Sequence, residues 1–337
     1  MTKYFFLAEA NDRIGAGHLM RCKTIAEALY EALPAREEAV SFTAPSALSA
    51  QARQDDLFVP DDNALSLFFD KDHLTREQRV IVVDSYQVSD AFLTALRSFG
   101  RVLYLDDDGL RPYPVDDVLN YHFYTEESDY RALYDGSNTR FHLGAQYAPV
   151  RKQFAEKPFV VNDRASSLLL LSGGADPDNA AGALYLQLRK VLPASLQINL
   201  VCGAFNHHAK ALCALAAKDP ALTIYQNVTD MASLMRENDI ALTAGGSTMY
   251  ELCATGLPFV CYALAKNQVP SGLAAEKQNM APYAGAYHLA ADETCERAAS
   301  LCASLLEDAD RRRVMSERIR SMIDAQGAMR IAKDILL

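Results

Sequence analysis

The chain has 337 residues, a formal net charge of −10 and a pI near 5.2. Half of its residues are apolar and 23% are charged, the balance of an ordinary globular protein long enough for about two domains. That excludes a disordered or fibrous chain. No apolar run reaches the roughly 18 residues of a membrane helix, and an acidic chain without a basic run is a poor nucleic-acid binder.

In chain order, residues 4–8 form a short apolar run, soon followed by Glu9, Asn11, Asp12 and Arg13. That suits a first buried strand rather than a signal peptide. Further strands are expected at 39–43, 80–84, 102–106 and 115–120, with helices at 17–33 and 89–99. A polar stretch with one proline, 155–164, reads as an interdomain linker. Beyond it the alternation is more regular. Strands are expected at 168–172, 197–202, 222–225, 240–243 and 258–262, and helices at 179–192, 207–218, 231–237 and 247–255. A helical pattern runs from 294 to the end. This is the α/β signature of two parallel-sheet domains, 1–155 and 156–337, facing a cleft. The seven cysteines form no CxxC pair and no metal-finger spacing, as expected of reduced core thiols in a cytoplasmic protein.

Ligands of such sheets sit just after the strands. After the first strand comes Gly15-Ala16-Gly17-His18-Leu19-Met20-Arg21, a glycine turn that opens a helix. It is not a dinucleotide fingerprint: the third glycine position is Met20, and the second strand ends without an acid for a ribose. His18, in the first turn of a helix, stays neutral against the helix dipole and so suits a general base. The bland alternative is a surface histidine. After the third strand comes Asp84-Ser85-Tyr86, and after the fourth Asp106-Asp107-Asp108. Three acids can hold a divalent cation or simply cap a strand end; they are read as structural, with no metal and no cofactor expected. Ser172-Gly173-Gly174-Ala175-Asp176 and Ala244-Gly245-Gly246-Ser247-Thr248 both run from strand through double glycine into helix. Two such turns suggest a diphosphate lying on helix N-termini. Thr248 and Glu251 also read as a capping box, and Asn267-Gln268 offers donors and acceptors suited to sugar hydroxyls and acetamido groups.

These motifs, with Leu143-Gly144, Tyr147-Ala148, Arg151 and Phe154 between them, resemble in order those of the PseG type, the UDP-2,4-diacetamido-2,4,6-trideoxy-β-L-altropyranose hydrolases of pseudaminic acid biosynthesis. The resemblance spans nearly the whole chain. It departs at Ala175, at Ser85 and over 121–140. It implies a GT-B fold of two Rossmann-like domains related to MurG-type glycosyltransferases, and metal-independent hydrolysis of a UDP-sugar substrate, serving flagellin glycosylation or surface polysaccharide. On that reading His18 is the base on water, and Tyr86 and Asn267 position water and sugar. Gly17, Arg21, Gly173, Gly174, Gly246, Ser247, Thr248 and Gln268 line the substrate. Glu251 binds the ribose, and backbone groups near Asn227-Val228 read the uracil. An inverting glycosyltransferase on the same fold is the alternative.

Overall fold

The computed structural model describes residues 2–8, 17–33, 39–50 and 57–337. The chain divides into two compact units. The first contains the described residues up to 149 together with 326–337, and the second contains 150–325.

The first unit is a six-stranded, all-parallel sheet of order β2-β1-β3-β4-β5-β6. Its strands are β1 (Lys3–Ala8), β2 (Val40–Thr43), β3 (Arg79–Asp84), β4 (Arg101–Leu105), β5 (Asp117–Asn120) and β6 (Arg140–Leu143). Helices α1 (Gly17–Ala32), α2 (Asp62–Phe69), α3 (Asp90–Phe99) and α4 (Glu127–Leu133) accompany them. Side chains alternate across a strand, and β1 shows the consequence. Tyr4 and Phe6 join one apolar layer with Cys22, Ile25 and Leu29 of α1. Phe5 and Leu7 join the opposite layer with Leu65, Phe69, Phe92 and Leu96 of α2 and α3. A sheet covered on both faces needs such unbroken apolar strands.

The second unit is also six-stranded and parallel, of order β12-β11-β10-β7-β8-β9. Its elements are β7 (Ser167–Leu171), α5 (Ala180–Val191), β8 (Gln197–Cys202), α6 (Ala209–Ala216), β9 (Leu222–Gln226), α7 (Met231–Arg236), β10 (Ile240–Ala244), α8 (Thr248–Thr255), β11 (Phe259–Ala263), α9 (Val269–Lys277), β12 (Tyr283–Ala286), α10 (Ala291–Glu307) and α11 (Ala309–Met322).

Three differences from the sequence reading have physical causes. The expected domain boundary at 155/156 falls at 149/150, and the expected second-domain C-terminus returns to the first unit as α12 (Gly327–Arg330) and a π-helical turn, Ile331–Leu336. Ala328, Ile331, Ala332, Ile335 and Leu336 are buried in the apolar layer of α1. Gly327 permits the approach, because a Cβ there would lie 2.1 Å from the Ala148 carbonyl oxygen. Strands β6 and β12, of sequence RFHL and YAGA, went unread because an edge strand needs no apolar run and Gly and Ala carry little β preference. Helices α2, α4 and α9 were also unread. The α2 start was visible in Asp61, whose carboxylate accepts from the backbone N–H groups of Asn63 and Ala64. Among the described residues, no helix is long and apolar enough to cross a membrane.

Candidate active site

Each sheet has one place where the winding reverses, between β1 and β3 in the first unit and between β7 and β10 in the second. Crevices open there beyond the carboxyl ends of the strands. The two double-glycine turns follow β7 and β10, and Gly17 opens α1 after β1. Gly15 and Ala16 lie outside the described residues.

In the first unit the last register pair of β1 and β3 is Ala8 with Asp84. His18, Arg21 and Cys22 share one face of α1 by their spacing of three and four, and that face meets Asp84, which is fully buried. His18 Nδ1 lies 2.5 Å from Asp84 Oδ1, and Arg21 donates to Asp84 through Nε and Nη2 at 2.5 Å each. Burial alone would raise the Asp84 carboxyl, but Arg21 and His18 hold it below its ordinary value. An ionised carboxylate only accepts hydrogen bonds. A His18 proton therefore sits on Nδ1 and donates to Asp84, which makes Nε2 the acceptor atom whenever the ring is neutral. Arg21 Nη2 lies 3.1 Å from His18 Nδ1 because both donate to the same Asp84 oxygen.

Arg21 is saturated. Besides Asp84 it donates through Nη1 to Asp107 Oδ1 at 2.8 Å and to the Tyr121 hydroxyl at 2.6 Å, and through Nη2 to Asp107 Oδ2 at 2.8 Å. A guanidinium has five N–H groups, and all five are taken. The expected substrate contact of Arg21 is thus replaced by a fixing role: it holds Asp84 and Asp107 ionised. The Tyr86 hydroxyl donates to Asp107 Oδ2 at 2.5 Å. The ring of Tyr86 packs edge-on to His18 with centroids 4.6 Å apart and planes at 85°. Burial and the Asp107 charge push the Tyr86 phenol well above its ordinary value, so it stays protonated. His122 Nε2 lies 3.4 Å from Asp107 Oδ1.

The acids after β4 do not converge. Asp106 accepts from the Tyr130 hydroxyl at 2.5 Å and from the backbone N–H groups of Asp108 and Gly109, while Asp107 faces Arg21 and Tyr86. Among the described residues, no group of three or more His, Cys, Asp or Glu is placed to hold a metal ion.

In the second unit, α8 starts without a side-chain cap. The expected capping box of Thr248 and Glu251 is not formed; Glu251 instead pairs with Arg151 at 3.3 Å. Burial raises the Glu251 carboxyl, with Arg151 pulling the other way. Gln268 sits against this turn: a Cβ on Gly245 would lie 3.1 Å from its carbonyl oxygen. Its Oε1 accepts from Leu264 N–H at 2.8 Å, which leaves Nε2 as a donor 3.8 Å from where a Gly246 Cβ would stand. Uncapped backbone N–H groups beside a fixed amide donor suit an anion.

The other glycine turn differs from expectation. Gly173 has a φ of +77° and is open to solvent. The buried Asp176 carboxylate accepts from Ala180 and Ala181 N–H at 2.7 and 3.1 Å. The α5 start is therefore filled by the chain's own anion, and only Gly173 and Gly174 of this turn stay available to a ligand. Val228 is half-buried beyond β9, at the sheet edge, after Asn227 with a φ of +52°. Asn267 is exposed in the turn Lys266–Gln268. So the first unit gathers Gly17, His18, Arg21 and Tyr86. The second gathers Gly246, Ser247, Thr248, Glu251 and Gln268, with Gly173 and Gly174 on the neighbouring strand end.

A fold comparison aligns the whole chain with the crystal structure of Acinetobacter baumannii MurG at a TM-score of 0.66 and 13% identity, covering 99% of that chain. The fold is GT-B. The same GT-B arrangement aligns over 99% of this chain with Staphylococcus aureus MnaA, solved with UDP, at a TM-score of 0.60, 12% identity and 96% coverage of that chain. No protein-family model matches the chain. Among curated proteins, it resembles the UDP-2,4-diacetamido-2,4,6-trideoxy-β-L-altropyranose hydrolase of Campylobacter jejuni, at 23% identity over 79% of this chain and 93% of that one. It also resembles an uncharacterized protein of Methanocaldococcus jannaschii, at 25% over 54% of this chain, and the spore coat polysaccharide biosynthesis protein SpsG of Bacillus subtilis, at 27% over 48%. The chain spans only 39% and 49% of the lengths of those two relatives.

In the sequence Asp84 and Arg151 stand only as motif positions, Asp107 only as one of three adjacent acids read as structural, and Tyr121 carries no signal. The signal in the sequence is an acid at or just beyond the carboxyl end of each of two buried parallel strands, Asp84 ending β3 and Asp107 following β4.

Proposed function

We propose that this protein is a nucleotide-sugar hydrolase. It cleaves the anomeric C–O bond of a UDP-linked 2,4-diacetamido-2,4,6-trideoxyhexose and releases UDP and the free sugar with inversion, as a step toward a nonulosonic acid such as pseudaminic acid. The observation that carries this reading is the Asp84–His18 pair at the α1 start, a histidine held in the one tautomer that can take a proton at Nε2. The coarser reading, an enzyme acting on UDP-sugars, is supported by the GT-B fold and by the name of the Campylobacter relative, which the chain covers almost completely.

In the proposed reaction His18 Nε2 removes a proton from water as the water oxygen attacks the anomeric carbon. The bond from that carbon to the β-phosphate oxygen breaks, and UDP leaves with the electron pair. Ser247 and Thr248 N–H groups and Gln268 Nε2 take up the charge of the leaving diphosphate, and Glu251 accepts from the ribose hydroxyls. Asn267 holds the sugar, and the loop at Val228 reads the base. No step is assigned to a metal or a cofactor.

The test is incubation with the UDP-sugar and no acceptor, following UDP release and the anomer formed by NMR. The wild-type protein is expected to turn over many times and to invert the centre, and His18→Asn to lower turnover by about 10²-fold or more. Release only on addition of an alcohol acceptor would make the protein a glycosyltransferase.

A further inference from the structure

Nothing in the residue types of His18 and Tyr86 says whether each offers the nucleophile a proton or takes one; their buried partners decide it. Asp84 accepts from His18 Nδ1, so in the neutral ring Nε2 carries the free lone pair. Asp107 does the same to Tyr86. Its two oxygens receive Arg21 Nη1, Arg21 Nη2 and the Tyr86 hydroxyl. Arg21 holds Asp107 ionised, and a contact of 2.5 Å between the Tyr86 oxygen and a carboxylate requires the single phenol proton to lie between them. What Tyr86 still offers is its lone pairs. The two rings that carry these acceptors pack edge to face, with centroids 4.6 Å apart and planes at 85°.

We propose that Asp107 is a positioning residue that makes Tyr86 a pure acceptor, so that His18 Nε2 and Tyr86 Oη receive both protons of one water and select water over an alcohol as the nucleophile. This rests on the hydrolase reading above. Water carries two protons and satisfies both acceptors while a lone pair stays free for the anomeric carbon. An alcohol carries one, and leaves an acceptor facing its alkyl group. In the step, one water proton passes to His18 Nε2 as the oxygen–carbon bond forms and the electron pair leaves with UDP. The other proton remains on the new anomeric hydroxyl, donated to Tyr86. A transferase built on the same fold has no use for a second acceptor at this point, because its nucleophile has no second proton to place. Arg21 completes the device: with all five of its N–H groups committed, no donor from it competes for the nucleophile's protons.

Two measurements test this. The first needs no turnover. The Raman doublet of a tyrosine ring separates donor from acceptor hydroxyls, and the difference between wild type and Tyr86→Phe isolates Tyr86. A strong-donor signal, lost in Asp107→Asn, is expected; an acceptor signal in the wild type overturns the proposal. The second is product partition in methanol–water mixtures with the UDP-sugar named above. The wild type is expected to yield free sugar almost exclusively. Tyr86→Phe and Asp107→Asn are expected to raise the ratio of methyl glycoside to free sugar by about tenfold, the worth of one unmet acceptor. An unchanged ratio in Tyr86→Phe, the milder variant and the one that leaves Arg21 paired, overturns water selection even if Asp107→Asn fails to fold. A wild-type protein that releases no sugar from donor alone sinks the hydrolase reading and water selection together, and the Raman signal still decides whether Asp107 sets the polarity of Tyr86.

Discussion

Replacing Asp84 by Asn separates the fold of the first unit from its chemistry. Asp84 is fully buried and accepts from His18 Nδ1 and twice from Arg21. Stripping one partner from a buried ion pair costs about 3–5 kcal/mol. Arg21 keeps its two bonds to Asp107 and one to Tyr121, so the expected loss is at the low end, about 3 kcal/mol, against a total stability of about 5–15 kcal/mol. The variant folds, with a lowered melting temperature. Its chemistry suffers more. The Asn carboxamide turns its NH₂ toward His18 Nδ1, the imidazole proton moves to Nε2, and the base is lost. Turnover is expected to fall by about 10²–10⁴-fold, while UDP affinity, which the proposed function assigns to the second unit, is expected to stay within about 0.5 kcal/mol. Thermal unfolding, calorimetric titration of UDP and donor-only turnover read the three effects separately. A variant that folds and keeps near-normal turnover refutes the tautomer argument. One that loses UDP binding with its fold intact refutes the division of roles between the units.

Glu251→Ala should weaken UDP binding by at least about tenfold, as a charged hydrogen bond to ribose is worth roughly 1.5–3 kcal/mol; Tyr86→Phe should leave it within about threefold, and an effect of the opposite rank by calorimetry would reverse the assignment. Excess chelator should leave the rate unchanged, because Asp106 and Asp107 are engaged with Tyr130, Arg21 and Tyr86; activity abolished by EDTA and restored by Mg²⁺ would overturn the proposed role of the α8 start. Burial alone would raise the Asp117 carboxyl, but hydrogen bonds from His142 and Arg101 and the charge of Arg101, with Arg140 beyond them, draw it down to about 2. A carboxyl lowered on folding adds stability above its unfolded value, lost as pH falls through its folded one. Asp117→Asn should therefore lose about 2 kcal/mol of stability at neutral pH and show a flatter pH dependence between about 4 and about 2; parallel denaturation curves for the two proteins across that range would show that Asp117 carries no such linkage.

The central parallel strands could be read from the chain because they are apolar runs buried on both faces, and β8 lies where the pattern placed it, at Gln197–Cys202. Elements at the margins were harder to see. A four-residue edge strand such as β6 has one neighbour and half-exposed side chains, and so leaves little trace in composition. The C-terminal pattern was legible as helix, but a helix's apolar stripe does not name the surface it covers. Only packing shows that Ile331, Ala332 and Ile335 lie against α1.

The site divides along the same line. The local sequence determined that a glycine opens α1, that His18 stands in the first turn of its helix, and that Gly245–Thr248 leads from strand to helix, because backbone freedom and helix ends are properties of neighbouring residues. Charge and proton placement are properties of neighbours in space. Asp84 lies 66 residues from His18, and Asp107 lies 21 from Tyr86. Contacts across those separations place a proton on His18 Nδ1, give the Tyr86 hydroxyl a carboxylate to donate to, and commit every N–H of Arg21. The Thr248–Glu251 spacing is that of a capping box, yet Glu251 turns to Arg151 instead. A capping box stabilises an isolated helix end only modestly, and a half-buried arginine stands within reach of the carboxylate.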